Sequence, residues 1–365
     1  MLNFLNVFLK SIFYLPASFS LSYFWNLGSL LGIMLISQIL TGFFLTFYYS
    51  SLDSFMTVQY VMFEVKFGWL LRVMHSNGAS MFFLCMYAHI FKGLVYGSYR
   101  LVMVWLSGVV MYFLMMGIAF TGYALIWGQM SYWAAVVITS LMTSIPFLGK
   151  YLVWWIWGGF SVCGNTLGFF YSIHFILPWL LFILVMLHLL FLHFTGSTSS
   201  LFCHGDYDKI QFFPFFWIKD GLDLFFYVLL FLFALIFSFI LSDPMIFVES
   251  DIMASPAHVV PEWYFLYAFT ILRAVPNKLL GVILMFGSVF WLMVLVWPRV
   301  YFMILDVFLF FFCSCFVWVF FWLTWAGHYP TDYPFNYFNL FFTIFYFLFI
   351  LFMMLLNFLV IKVFF

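Results

Sequence analysis

The chain of 365 residues is 68% hydrophobic and only 7% charged, with a mean hydropathy of +1.18, an apolar excess that no soluble core of this size requires. Twelve basic and twelve acidic residues give a formal net charge of zero, so there is no basic stripe for nucleic acid and no polybasic lipid anchor. The five cysteines, Cys85, Cys163, Cys203, Cys313 and Cys315, form neither C-x-x-C nor C-x-x-C-H, which argues against a zinc site, a disulfide framework and covalent tetrapyrrole attachment and leaves packing as their role.

Met1 to Ala17 mixes Asn3, Asn6, Lys10 and Pro16 into its apolar residues and shows no cleavable signal pattern. Runs of about 20 apolar residues mark membrane crossings, and eight are predicted: Asn26 to Tyr48, Gly68 to Tyr96, Val102 to Trp127, Phe169 to Phe194, Leu222 to Leu241, Leu279 to Trp297, Val307 to Trp325 and Tyr337 to Ile361. All are expected to be helices, because lipid offers no other partner to the backbone of an open chain. The fold class is therefore all-α integral membrane, with a four-helix bundle in residues 1–200 and a C-terminal helical region in 201–365. Three polar-punctuated stretches, Ser51 to Lys66, Gln129 to Tyr151 and Ser242 to Asn277, are expected at the membrane interface. Basic residues divide too evenly between the two sides to fix orientation. The 59 phenylalanines suggest thymine-rich codons, as in many organelle genomes, which fits synthesis in the compartment where the protein works.

Ionisable or ligating residues inside a span are costly and point to function. The second span holds His75 and His89, and the fourth holds His174 and His188; each pair is 14 residues apart. Fourteen residues rise about 21 Å and turn about 40° short of four full turns, so both members of a pair look out from nearly one face. One crossing separates the two spans and the long connection after it returns the chain to the same side, so the helices run parallel. His75 then lies at the depth of His174, and His89 at that of His188. Imidazole suits several metals, but two stacked bis-imidazole sites without carboxylate or thiolate fit haem iron. Gly28 and Gly42 repeat the 14-residue spacing on the first span, as do Gly108 and Gly122 on the third. Each is a helix contact or a slot for a tetrapyrrole. Arg72, Lys92, Ser98 and Arg100 stand near the ends of these sites, to meet propionates or to snorkel at the interface. A proton or ion transporter is the rival reading; it requires carboxylates or lysines deep in several spans and no equal-depth histidine pairs, the reverse of this pattern.

The stretches Arg72-Val-Met-His-Ser-Asn-Gly-Ala-Ser80, His174-Phe-Ile-Leu-Pro178, His188-Leu-Leu-Phe-Leu-His193 and Pro261-Glu-Trp-Tyr264 resemble the mitochondrial cytochrome b family over almost the whole chain. The resemblance implies eight transmembrane helices and two non-covalent b haems, the lower-potential one on His75 and His174 near the outer face and the higher-potential one on His89 and His188 near the matrix. It implies quinol:cytochrome c reductase activity in a multi-pass protein of the mitochondrial inner membrane. Quinol would be oxidised at an outer site and quinone reduced at an inner one, generating a proton gradient. The implied partners are the Rieske iron-sulfur protein, cytochrome c1, other subunits, membrane lipid and a second copy of the complex. Glu262 is read as the quinol proton acceptor, assisted by Tyr123; an acid at a helix N-terminus is the alternative. His193 and Asp220, with Ser29 and Ser197 nearby, resemble the group that contacts the inner quinone, or are ordinary interfacial residues. Ala134 and Phe269 are expected at the outer pocket, where the family usually has Gly and Tyr. Phe169 and Lys92 replace usual basic residues, the latter exchanging a planar fork for a point charge.

Overall fold

The computed structural model describes residues 14–200, 208–297 and 306–364, and Cys203, Lys10 and most of the N-terminal segment lie outside them. A short antiparallel ribbon joins β1 (Pro16–Ser18) to β2 (Lys209–Gln211); the remaining elements are helical. In chain order these are α1 (Leu27–Leu45), α2 (Ser54–Phe63), α3 (Gly68–Val95), α4 (Val102–Ala124), α5 (Gln129–Ser140), α6 (Gly149–Trp157), α7 (Gly164–Thr195), α8 (Phe215–Ile236), α9 (Leu266–Arg273), α10 (Lys278–Phe290), α11 (Asp306–Gly327) and α12 (Phe335–Phe364). Among the described residues, seven helices are long and apolar enough to cross a membrane, α10 by continuing into the tighter turn Trp291–Val296. The eighth expected span is α8, whose first turns carry Lys219, Asp220 and Asp223.

The expected spans coincide with helices, but several limits differ. The fifth was expected at Leu222 to Leu241, whereas α8 starts at Phe215 and stops at Ile236. Its early end has a partner on another helix. Asn77 of α3 donates to the carbonyls of Ala234 and Ser238 at 3.0 and 2.7 Å, satisfying groups that a helix terminus leaves open. Left without a partner in this buried setting, such a group costs about 1–3 kcal/mol. The interfacial stretch Gln129 to Tyr151 is two helices, α5 and α6, the second running on to Trp157.

Helices α1 and α3 pack as one pair, and α4 and α7 as another. The C-terminal helices α9, α11 and α12 pack together and reach the histidine-bearing bundle through α3, where α11 contacts it. Lipid offers no hydrophobic force between spans, so contact rests on van der Waals packing and polar links. The shared core is built from Phe83, Tyr87, Tyr112, Tyr267, Phe316, Phe320 and Tyr346, all buried. Tyr112 and Tyr267 satisfy one another across 2.6 Å between α4 and α9. Cys85 and Cys313 are buried, as expected for packing residues, and Cys313 Sγ lies 3.3 Å from the Leu94 carbonyl.

The turn between α4 and α5 ties the two halves together. Gln129 N–H donates to the Val248 carbonyl at 2.8 Å and its side chain accepts from Asp251 N–H at 2.7 Å. A Cβ at Gly128 would fall 2.2 Å from the Ile246 carbonyl oxygen, so this crossing requires glycine. The segment leading to Pro261 is thereby fixed beside the end of α4.

Candidate functional site

The four histidines face the gap between the two helix pairs. His75 and His174 have ring centroids 6.1 Å apart and planes at 89°. With imidazole–metal bonds of about 2 Å, an ion between two such rings sets the centroids about 6 Å apart, so this spacing suits one iron. Each spaced glycine lies against one ring. An added Cβ would come within 2.8 Å of His75 at Gly42, 2.4 Å of His174 at Gly122, 3.5 Å of His89 at Gly28 and 3.4 Å of His188 at Gly108. The glycines are thus the floor on which the imidazoles rest. Among the described residues no group of three or more His, Cys, Asp or Glu side chains could hold a metal. Two facing imidazoles per site would suit the axial positions' donor chemistry of a b-type haem, were one bound.

A cavity of about 250 Å³ opens beside the His75 and His174 pair. Arg72, Gly42, Gly122, Tyr123, Glu262 and Tyr264 line it along with the two histidines. The Pro-Glu-Trp-Tyr segment is held there by α3. Trp263 Nε1–H donates to Ser80 Oγ at 3.3 Å, Tyr264 stacks flat on Phe83 at 4.2 Å, and Tyr87 donates its hydroxyl to the Tyr264 carbonyl. Glu262 stands at the start of the short turn Trp263–Phe265, yet its side chain makes no capping hydrogen bond. Its side chain instead faces the Tyr123 hydroxyl across the cavity lining that both share. Burial pushes the Glu262 carboxyl up to about 7, the charge of Asp243 adds to the rise, and the Tyr123 hydroxyl opposes it. A carboxyl poised in this way takes up or releases a proton near neutrality.

At the other end, Gly28 touches His89 and the next residue, Ser29, opens an acidic cluster. Ser29 Oγ lies 3.0 Å from Asp220 and also reaches Asp223, while Asn26 Nδ2 donates to Asp220 at 3.2 Å. Lys219 turns its ammonium to the Leu21 carbonyl and over the ring of Tyr23. His193 is exposed on the last turn of α7, and no hydrogen bond or ion pair joins it to Asp220 among the described residues. Ser197 is half-buried just past the helix cap Gly196, and it is its neighbour Thr198 whose hydroxyl bonds Ser98, at 2.9 Å. The ammonium of Lys92 sits 4.9 Å from the Trp25 ring, and the Arg100 guanidinium packs against Gly97.

The chain matches the family described as Cytochrome b/b6/petB over residues 12–196 and that described as Cytochrome b(C-terminal)/b6/petD over 249–347. It is 54% identical to cytochrome b of Caenorhabditis elegans and 53% identical to that of Caenorhabditis briggsae, each over 79% of this chain and 78% of the relative. The chain belongs to the cytochrome b family. A solved structure titled "Hyperthermophilic respiratory Complex III" superposes with a TM-score of 0.91 at 27% identity, covering 98% of this chain and 97% of that one. The protein is accordingly a multi-pass cytochrome b subunit of respiratory complex III, the quinol:cytochrome c reductase.

Two residues expected at the outer pocket of this cytochrome b, Ala134 and Phe269, are not among those lining the cavity beside His75 and His174. Ala134 is buried in α5 and does not line the cavity. Phe269 is also absent from the lining; the Arg273 guanidinium stacks on its ring at 4.1 Å while donating to the carbonyls of Gly327 and Tyr329. Phe169 packs edge-on against Trp155 at 5.1 Å, an apolar contact where cytochrome b usually has a cation. Sequence reasoning missed Asp223, Asn26, Thr41 and Ser107. Asp223 carried a signal, a third ionisable residue within four positions of Lys219; the other three are ordinary helix residues until their partners are known.

Proposed function

We propose that the chain holds two non-covalent b haems, one between His75 and His174 and one between His89 and His188, and serves two quinone sites at opposite faces of the mitochondrial inner membrane. When bound, the haems supply one-electron carriage between those faces. The observation that carries the reading is the seating of four imidazoles, in two pairs, against four glycines, with the His75 and His174 rings 6.1 Å apart. Residues 1–200 form the haem-binding bundle in this reading, and 201–365 close the outer site with Glu262.

At the outer site the Glu262 carboxylate accepts a proton from the quinol hydroxyl, and Tyr123 orients the carboxyl through its hydroxyl. One electron leaves to the Rieske iron-sulfur protein and onward to cytochrome c1; the other crosses to the inner site. There Asp220, held by Ser29 and Asn26, presents a carboxyl to the quinone, and His193 and Ser197 stand on the neighbouring segment. Arg72 supplies positive charge beside the outer haem; Lys92, Ser98 and Arg100 cluster beyond the inner one, where propionates need partners. Protons released outside and taken up inside give the gradient. Other subunits, lipid and a second copy of the complex surround the chain.

The test is a reduced-minus-oxidised visible spectrum of the purified complex together with quinol-dependent reduction of cytochrome c. Two b-type components and steady turnover are expected. A spectrum lacking b-type bands would remove the haem assignment.

A further inference from the structure

The four glycines that floor the imidazoles are preceded by different residues: Thr41 before Gly42, Ser107 before Gly108, Thr121 before Gly122 and Leu27 before Gly28. Thr41 Oγ1 lies 2.8 Å from the Ser37 carbonyl and 3.0 Å from His75 Nδ1. Ser107 Oγ lies 3.0 Å from the Val104 carbonyl and 2.8 Å from His188 Nδ1. A hydroxyl has one proton. With that proton given to the helix carbonyl, the oxygen accepts from the ring, which fixes Nδ1 as the N–H and leaves Nε2 as the free ligand nitrogen. His174 reaches the same state differently, since Nδ1 is 2.8 Å from the Ile118 carbonyl, which can only accept. Thr121 spends its hydroxyl on its own helix, at the Gly117 and Ile118 carbonyls.

His89 stands apart. Its Nδ1 is buried with no hydrogen-bond partner among the described residues, and the position that would serve it by analogy with Thr41 and Ser107 is Leu27. The outer site therefore has both rings anchored, and the inner site only one.

An Nδ1–H donated to an oxygen raises the basicity of the opposite nitrogen, and a more basic axial ligand favours ferric over ferrous iron and lowers the potential. We infer that Thr41 and Ser107 are positioning residues that tune the two haem potentials through His75 and His188, and that the unanchored His89 helps raise the inner haem above the outer one. The inference rests on the haem-binding reading above. It gives the electron a downhill path from the outer to the inner site, because Thr41 lowers the outer potential and Leu27 leaves His89 unanchored, while Ser107 limits how far the inner potential rises.

Redox titration of the b-type absorption bands in the assembled complex tests it, using wild type, Thr41→Val, Thr41→Ser, Ser107→Ala and Leu27→Thr. Thr41→Val should raise the midpoint of the outer haem alone, Ser107→Ala that of the inner haem alone, and Leu27→Thr should lower the inner one. Thr41→Ser should restore the wild-type value. A tenfold change in the ferric-to-ferrous preference would read as about 59 mV for one electron. Unchanged midpoints in Thr41→Val and Ser107→Ala with both haems bound would overturn the inference. If Thr41→Val fails to hold its haem, Ser107→Ala decides the matter at the other site, and a missing shift there overturns it equally. A wild-type complex without b-type bands would instead overturn the haem-binding reading.

Discussion

Replacing Glu262 by Gln removes the outer site's acidic proton while nearly preserving the side chain's shape. The carboxyl is held at about 7 against an ordinary 4.5. At 1.36 kcal/mol per unit, that difference is roughly 3 kcal/mol of preference for the protonated form. Only the carboxylate can accept a proton, so outer-site turnover in wild type should climb with pH and level off above about 7. In Glu262→Gln the inflection should vanish and turnover fall about a hundredfold, the lower range for a general base. Stability follows the same proton with a fixed sign. Because the folded value lies above the unfolded one, the folded protein holds more protons in that window; the stabilisation is complete below about 4.5 and is lost as pH rises through about 7. The assay is steady-state quinol oxidation from about two units below to about two units above the carboxyl's value, with both haems verified by their spectra. An unchanged pH profile with wild-type turnover in the Gln variant would refute a proton-accepting role.

Two further outcomes follow from the histidine seats and a third from the end of α8. His75→Ala or His174→Ala should remove the outer haem and His89→Ala or His188→Ala the inner one, as read by loss of one b-type component; a variant retaining both with unchanged spectra would break the ligand assignment. Gly122→Ala, whose Cβ would fall 2.4 Å from the His174 ring, should disturb the outer haem spectrum more than Gly28→Ala, at 3.5 Å from His89, disturbs the inner, since overpacking typically costs about 1–3 kcal/mol. Asn77→Ala should lower the thermal midpoint of the complex, through two lost hydrogen bonds worth about 1 kcal/mol each, with both haem spectra retained; an unaltered midpoint would show that other groups satisfy the Ala234 and Ser238 carbonyls.

The histidine ladder was legible because helix periodicity converts a 14-residue spacing into one face and one depth, and the glycines repeat the same arithmetic. The span limits were less so. Lys219 and Asp220 moved the expected start of the fifth span to Leu222, whereas the Leu21 carbonyl and the ring of Tyr23 accommodate Lys219 and let the helix begin at Phe215. Its end depends on Asn77, 157 residues from Ala234, a contact no local pattern announces. The juxtaposition of Glu262 with Tyr123 was suggested only by family resemblance, because 139 residues separate them (262 − 123) and the stitch at Gly128 brings them together. Thr41 and Ser107 were invisible for another reason. A hydroxyl in a helix ordinarily bonds its own backbone, and the sequence does not show that its second valence points at a ring.

The packing of α1 with α3 and of α4 with α7 has a consequence for biogenesis. In the proposed haem-binding reading each helix pair would bring half of the ligands for both irons, so neither pair would form a complete seat alone. On the ribosome His75 precedes its counterpart His174 by 99 residues (174 − 75), and the first pair enters the bilayer with its imidazoles facing a partner not yet made. On that reading neither seat can close until the fourth span has been made, so the two helix pairs must meet before either iron can be held from both sides.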